Sequence, residues 1–284
     1  MHNNMEEKYI DLHTHTVCSD GSMTPTELVH HAKEAGLSAV AVSDHDTADG
    51  VAEAMAAGQA CGIEVIPAIE LSAVSKTETH ILGYFIDPTS PALVQAVDNI
   101  RRVRTERIGE TCDMLAKYDI HVTLDEVKQK AGGGILCRAH IAKLMTEKGY
   151  SESPKAAFAQ WLNVGCPCYS ESQALTDTEA IDLIRRAGGD AYLAHLHLTK
   201  KTGDELEDFV KHLVDAGLTG IEGYYTDYTP DMAETYRALA KKYGLKLSGG
   251  TDFHGAFKPH ISIGRGLGEM RIPYSVLENM KERR

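Results

Sequence analysis

Histidines and carboxylates recur in short groups at distant points of the 284-residue chain. His13 and His15 are two residues apart, and Asp20 follows them in Ser19-Asp20-Gly21. Side chains at positions i and i+2 of a strand point to the same face, so both imidazoles are able to bind one ion or two adjacent ions. Residues of the same chemical types come later in the sequence: Asp44-His45-Asp46, Glu70, His80, His195, Asp252 and His254.

This mixture of side chains favours metal chemistry. Imidazole together with carboxylate suits zinc, manganese or iron, and a carboxylate such as Glu70 is able to bridge two ions. Close cations lower the pKa of a bound water to about 7 and neutralise the charge that builds on phosphoryl oxygens. The chain has neither a Gly-x-Ser-x-Gly nucleophile elbow nor a Gly-x-x-x-x-Gly-Lys-Ser/Thr phosphate loop. The pattern therefore indicates metal-dependent hydrolysis of a phosphoester.

Each member of these groups also has an ordinary structural explanation. An isolated histidine on a strand is usually a hydrogen-bonded polar residue, and Asp44 or Asp46 is suited to a turn or a helix cap. That explanation does not account for several separate groups that all lie at predicted strand ends. We therefore expect a shared site.

The elements that must position these groups alternate between strands and helices. The apolar patterns predict strands at residues 9–12, 38–43, 64–68, 80–86, 191–194, 220–225 and 245–248 and helices at 24–35, 47–61, 203–216 and 230–243. Strands that alternate with helices run parallel, and their carboxyl ends meet on one face of a barrel. We expect the site at that face. His80 is the exception, because it opens its strand.

Residues 91–188 interrupt the alternation. Helical patterns cover 92–118, 123–130, 138–148 and 154–162, and no strand pattern is convincing. We therefore predict an α/β protein in which residues 1–90 and 189–284 form a barrel domain. Residues 91–188 would form a helical insertion subdomain that contributes to substrate recognition.

The composition limits the partners. A formal net charge of −12 opposes binding of long nucleic acid, whereas a small phosphorylated substrate is compatible because metal ions supply positive charge locally. No apolar run approaches the roughly 20 residues of a membrane span. The polar, acidic start differs from a secretory signal, and six scattered cysteines are typical of a reduced compartment. We expect a cytoplasmic protein without a membrane partner.

The motifs together resemble those of the PHP (polymerase and histidinol phosphatase) superfamily, in the family's order and across nearly the whole chain. The matching residues are His13-x-His15 with Ser19-Asp20-Gly21, Asp44-His45-Asp46, Glu70, His80, Ala194-His195 and Asp252-x-His254. The resemblance is closest to small PHP-domain phosphoesterases, namely AMP and 3′,5′-nucleoside bisphosphate phosphatases and 5′-exonucleases on short RNA. It implies a distorted (β/α)7 barrel with a helical insertion and two to three divalent ions, Mn, Fe or Zn.

The resemblance also implies a ligand set for each ion. The first ion would be held by His13, His15, Glu70 and Asp252, the second by Glu70, His80 and His195, and the third by Asp20, His45 and His254. A hydroxide between the first two ions, held there by Glu70, His13, His15 and Asp252, would be the nucleophile. The third ion would help to hold the phosphoryl group.

The insertion supplies candidates for substrate binding. Arg101, Arg104 and Arg107 are spaced along one helix, where similar family members carry an arginine-rich helix. The alternative is a solvated helix face with ion pairs worth only tenths of a kcal/mol, roughly. Arg138 and His140 resemble the family's Arg-Pro-His element, and an arginine fork suits a terminal phosphate, whereas His140 could instead be a neighbour of a metal. The predicted substrate-binding residues are Arg104, Arg107, Arg138 and His140.

Two departures leave the substrate open. The family's Pro-Gly-Arg after the histidine is replaced by Leu196-His197-Leu198, and its Gly-Lys-Pro stretch is Gly165-Cys166-Pro167. The leading hypothesis is hydrolysis of a phosphate monoester of a nucleotide or nucleoside 3′,5′-bisphosphate, with the 5′ end of short oligonucleotides as a variant. The alternatives are a phosphatase for histidinol phosphate or another small monoester, and a non-catalytic metal-binding PHP module.

Overall fold

The computed structural model describes residues 7–74, 77–170 and 175–282. Its strands are β1 (Tyr9–Asp11), β2 (Ala39–Val42), β3 (Glu64–Ser72), β4 (His80–Tyr84), β5 (Asp190–Leu193), β6 (Gly220–Tyr225), β7 (Lys246–Gly250) and β8 (Ile272–Pro273). Its helices are α1 (Pro25–Glu34), α2 (Val51–Cys61), α3 (Pro91–Ala116), α4 (Leu124–Ala131), α5 (Arg138–Glu147), α6 (Pro154–Ala157), α7 (Asp177–Arg186), α8 (Gly203–Asp215), α9 (Pro230–Tyr243) and α10 (Ser275–Lys281). The predicted elements are present, whereas α7, β8 and α10 were not predicted.

The strands form one sheet in the order β7-β6-β5-β4-β3-β2-β1-β8. The expectation of a wholly parallel sheet is wrong at β4, which runs antiparallel to both β3 and β5. The connection from β3 to β4 is only residues 73–79. A parallel return needs a crossover of a dozen or more residues, so this short connection requires an antiparallel pair.

The sheet closes almost completely into a barrel. Just beyond the end of β1, the N–H of Leu12 donates to the carbonyl of Gly249 in β7 at 3.1 Å, while β8 pairs with β1 only at Tyr9 and Ile10. A Cβ at Gly250 would clash with the backbone of His13, so glycine permits this close approach. The predicted α/β barrel is thus confirmed, with a short eighth strand added.

The barrel strands alternate between its interior and the helices outside. Ile10, Leu12 and Ala41 belong to an interior cluster of fully buried side chains, whereas Val40 packs outward with Leu28 of α1. α1 begins at a capping box formed by Thr24 and Glu27. The polar side chains that follow each strand lie beyond its end, and therefore at the barrel rim.

Described residues between 91 and 188 form helices and turns and no strand. Leu115 of α3 packs with Val127 of α4 and Ile141 of α5 in a separate core. The start of α3, at Leu93, and α7, at Ile184, instead join the cluster that covers β4 and β5. No helix in the described ranges is long and apolar enough to cross a membrane.

Candidate metal centre

The predicted ligand groups meet at one rim of the barrel. His13 and His15 follow β1, His45 follows β2, Glu70 lies in β3, His195 follows β5, and Asp252 and His254 follow β7. His80 opens β4, and because β4 is antiparallel to its neighbours, its first residue lies at the rim where the other strands end. The apparent exception in the sequence is therefore a consequence of strand direction.

Glu70 lies at the centre of the group, and its two oxygens face different histidines. Oε2 lies 3.2 Å from Nε2 of His13, 3.3 Å from Nε2 of His15 and 3.0 Å from Nδ1 of His45. Oε1 lies 3.0 Å from both Nδ1 of His80 and Nε2 of His195. One fully buried carboxylate thus contacts two sets of imidazoles, as a bridging ligand does.

Asp252 and Asp20 complete the other sides of the group. Oδ1 of Asp252 lies 3.1 Å from Nε2 of His15 and 3.6 Å from Nε2 of His13. Oδ1 of Asp20 lies 3.2 Å from Nε2 of His254, and Oδ2 lies 4.0 Å from Nε2 of His45. All nine predicted ligands therefore lie in one continuous cluster.

The donor atoms fit divalent cations. Within the described part of the chain, several buried atoms of this cluster make no hydrogen bond: Nε2 of His13, both ring nitrogens of His15, Nδ1 of His45 and Oε2 of Glu70. Buried polar atoms are rarely left without a partner in proteins. Sets of ligand atoms lie within 4.8 Å of one another, including His13, His15 and Glu70 as well as Asp20, His45 and His254. This donor set suits a divalent metal.

The electrostatics of the cluster point the same way. Burial raises the pKa of Glu70, but the imidazoles, led by His13, reverse this and hold the pKa well below its usual range. Burial lowers the pKa of His15 to about 4 and that of His45 to about 3, which leaves both rings neutral with lone pairs available for a metal. Burial also lowers the pKa of His13, but Glu70 and Glu222 outweigh it and raise the pKa well above its usual range. The buried carboxylates therefore favour positive charge beside them, from a protonated imidazole or from a bound cation.

Three ligand-bearing turns have a left-handed backbone. Asp46, His195 and Asp252 have φ values of 53°, 25° and 56°. Such conformations cost about 1–3 kcal/mol each in residues other than glycine and are held by surrounding structure at functional sites. The positive φ values at these three turns are therefore consistent with a functional site at the rim.

Two further residues orient the ligands: Glu222, which the sequence analysis missed, and Asp44, which it named in a motif without a role. Glu222 of β6 is fully buried, accepts the backbone N–H of His195 at 2.6 Å and lies 3.0 Å from Nδ1 of His13. Asp44 accepts hydrogen bonds from Thr16 and Ser19 in the loop that leads to Asp20. A charged residue inside an apolar strand was the available signal for Glu222.

Further polar groups line the mouth of the cluster. Lys258 donates to Oδ2 of Asp252 at 2.6 Å, and the hydroxyl of Tyr225 donates to the same oxygen at 2.9 Å. A carboxylate oxygen of Glu78 lies within 4.8 Å of ring nitrogens of His80 and His195. The sequence provided no specific signal for Lys258 or Glu78.

The four predicted substrate-binding residues differ in their surroundings. Arg104 is ion-paired with Asp46. Arg107 and Arg138 lie over the ring of Tyr169, at 5.5 Å and 5.2 Å from its centroid.

His140 is buried, and its Nδ1 accepts the N–H of Cys137 at 3.1 Å. Burial lowers its pKa to about 4, so the neutral ring carries its proton on Nε2.

A barrel that gathers imidazoles and buried carboxylates at one rim is typical of a metal-dependent hydrolase. The chain is similar to the 5′-3′ exoribonuclease Rnm of Escherichia coli, with 33% identity over 260 residues that cover 90% of this chain and 88% of that protein. It is similar to the 3′,5′-nucleoside bisphosphate phosphatase of Chromobacterium violaceum, with 32% identity over 247 residues, 86% of this chain and 87% of that protein. Among solved structures, a candidate metal-dependent phosphoesterase from Bifidobacterium adolescentis superposes with a TM-score of 0.85 at 28% identity, covering 96% and 95% of the two chains.

The sequence profile of the PHP domain matches residues 11–164. The chain therefore belongs to the PHP domain family. It is a metal-dependent phosphoesterase of the branch that the motifs predicted, and the prediction that it is an enzyme is confirmed.

Proposed function

We propose that the protein removes a phosphate from a nucleotide or nucleoside 3′,5′-bisphosphate at a centre of two to three Mn, Fe or Zn ions. The contacts of Glu70 carry the proposal, because its two oxygens face separate sets of histidines. The ligand sets are those that the family resemblance implies. They are His13, His15, Glu70 and Asp252 for one ion, Glu70, His80 and His195 for another, and Asp20, His45 and His254 for a third.

Bound divalent cations supply activated water and neutralise phosphoryl charge. The side chains of the protein orient these ligands. Since a carboxylate only accepts hydrogen bonds, Glu222 holds one proton of His13 on Nδ1, so that the Nε2 lone pair would be the one available to a bound cation. Tyr225 and Lys258 fix one oxygen of Asp252, which leaves the other facing His15.

A second anionic group on the substrate would bind at Arg107 and Arg138. No hydrogen bond or ion pair of the Arg107 guanidinium is found among the described residues, and burial and the charge of Arg138 lower its pKa to about 10. Two guanidiniums over the same ring, neither ion-paired with a carboxylate of the described residues, favour a phosphate. Arg138 follows Cys137, whose Sγ lies 3.7 Å from Nη1 of Arg104. Arg104 is paired with Asp46 beside His45, which links the two guanidiniums to the cluster.

This arrangement supports a recognition role for the helical insertion of residues 91–188. Arg107 lies on α3 and Arg138 begins α5, and both helices share the separate core. Both guanidiniums contact the ring of one residue, Tyr169. The barrel would then carry the chemistry and the insertion the selectivity.

A substrate panel after metal analysis tests the proposal. The panel comprises AMP, a nucleoside 3′,5′-bisphosphate, p-nitrophenyl phosphate and histidinol phosphate. We expect the highest kcat/KM for the bisphosphate. Arg107→Met should lower kcat/KM by about 10-fold or more for the bisphosphate and leave the other substrates unchanged, since a charge-assisted contact is worth about 1.5–3 kcal/mol.

Arg102→Met is the matched control, because Arg102 is exposed on the same helix and pairs with Glu106. An equal effect of Arg107→Met on every substrate would contradict the second-phosphate role. A best activity on histidinol phosphate would favour the small-monoester alternative, and metal binding without any hydrolysis would favour a non-catalytic module.

A 5′-exonuclease activity on short RNA is the second candidate, which the Escherichia coli relative favours by its name. The same Arg pair would then contact an internucleotide phosphate. Short 5′-phosphorylated RNA distinguishes the two activities by its products. Release of mononucleotides supports the exonuclease, and release of inorganic phosphate alone supports the phosphatase.

A further inference from the structure

Arg104 uses its guanidinium entirely within the protein. Its Nε donates to Oδ2 of Asp46 at 2.7 Å, and its Nη2 donates to the same oxygen and to Oγ of Ser72 at 3.0 Å. Its Nη1 donates to the carbonyl of Leu136 at 3.3 Å. The side chain is 14% exposed, and that of Asp46 is 2% exposed. Little donor capacity is left for a substrate.

Asp46 in turn joins the turn after β2, which carries His45, to β3, which carries Glu70. Its backbone N–H donates to the carbonyl of Glu70 at 2.8 Å, and its Oδ1 accepts the N–H of Ser72 at 2.8 Å. On the other side, the N–H of Glu70 donates to the carbonyl of Asp44 at 3.1 Å. Within this turn Asp46 has a left-handed backbone, with φ of 53°.

We propose that Arg104 is a positioning residue of the metal centre: it holds Asp46, and through Asp46 it sets His45 against Glu70. It also connects α3 of the insertion to the barrel rim. The proposal rests on the metal centre argued above and assigns Arg104 a role other than substrate binding. His45 Nδ1 lies 3.0 Å from Glu70 Oε2, and this is the spacing that the hydrogen bonds of Asp46 to β3 maintain.

The physical reason is the cost of an unpaired buried charge. Without Arg104, the carboxylate of Asp46 would be buried with no cationic partner among its described contacts. It would then turn towards water and release the N–H of Ser72 and the strained backbone at Asp46. His45 directly precedes Asp46 in the chain, so its imidazole would move away from Glu70.

The test compares metal affinity in Arg104→Met, Asp46→Asn and the double variant. Each protein is stripped of metal and titrated with Mn²⁺ and Zn²⁺ alone, without substrate. We expect affinity at the weakened site to fall about 10–100-fold, as is typical when a residue behind a ligand is removed. The double variant should bind no worse than the weaker single variant, because both changes break the same link.

Arg101→Met is the matched control. Arg101 lies one turn earlier on α3 and pairs with Asp49 on the same loop, but the two side chains are 42% and 56% exposed. Its metal affinity should equal that of the wild type. Unchanged metal affinity in Arg104→Met with a raised KM, as expected of Arg107→Met, would overturn the proposal in favour of a substrate contact.

Arg104→Lys covers the case in which Arg104→Met fails to fold, as judged by circular dichroism. A lysine keeps the charge but lacks the fork that reaches Asp46, Ser72 and Leu136 together. Weakened metal binding in this folded variant supports the proposal, and wild-type affinity refutes it. Because the titrations need no substrate, they remain decisive even if every substrate in the panel proves wrong.

Discussion

Nδ1 of His13 lies 3.0 Å from Oε1 of Glu222, and the second oxygen of the same carboxylate accepts the backbone N–H of His195 at 2.6 Å. Two residues that follow different strands are thus oriented by one side chain of a third strand. This relationship explains why Glu222, a fully buried carboxylate, lies in the otherwise apolar strand β6. The contribution of Glu222 to metal affinity can be measured directly.

Glu222→Gln should lower metal affinity about 10–100-fold while leaving the protein folded. The two oxygens of Glu222 face two donors, Nδ1 of His13 and the backbone N–H of His195. The amide retains the shape but has one accepting oxygen, so one of these two donors loses its acceptor and its ligand is no longer oriented. Titration of the metal-free protein measures the change. Glu205→Gln, at an exposed surface pair with Lys201, is the control, and equal affinity in both variants would refute the role.

Glu70→Ala should abolish hydrolysis and remove more metal than any change to a ligand that faces one set of histidines. The variant loses both carboxylate oxygens, one facing His13 and the other facing His80. Elemental analysis of this variant beside His254→Ala measures the difference. Residual turnover, or equal metal loss in the two variants, would argue against bridging.

Removal of metal should destabilise the fold. Buried Asp20, Glu70 and Asp252 are close together, so cations stabilise the native state by neutralising them. A ligand at 100 times its Kd adds about 2.7 kcal/mol of stability. In thermal unfolding, the Tm should be lower with EDTA than without it, and added Mn²⁺ or Zn²⁺ should restore the Tm. An unchanged Tm would indicate that no cation is bound.

Leu115→Ala should destabilise the insertion core. Leu115 is fully buried among the side chains of α4 and α5, and such a truncation costs about 2–5 kcal/mol. Hydrogen exchange should rise first in α4 and α5 rather than in the barrel strands. Tyr118→Ala, at a half-exposed position nearby, provides the comparison. Uniform exchange across both regions would mean that insertion and barrel unfold together.

Much of the architecture followed from local patterns in the chain. The strands and helices around His13, His45 and Asp252 were predicted because apolar periodicity is a local property. That these residues meet followed from barrel topology, since strand ends share one face whatever their distance in sequence. The class of enzyme followed from the types and order of these residues, and the comparisons confirm it.

The direction of β4 and the partners of buried charges depended on how distant segments pack. Arg104 and Arg107 are the same residue type on one helix, and no local signal separates them. The pairing of Arg104 with Asp46, 58 positions away, arises only where α3 lies against the barrel rim, while Arg107 is left beside Tyr169. An ion pair forms through space, so its members are chosen by the packing of whole elements and not by their spacing along the chain.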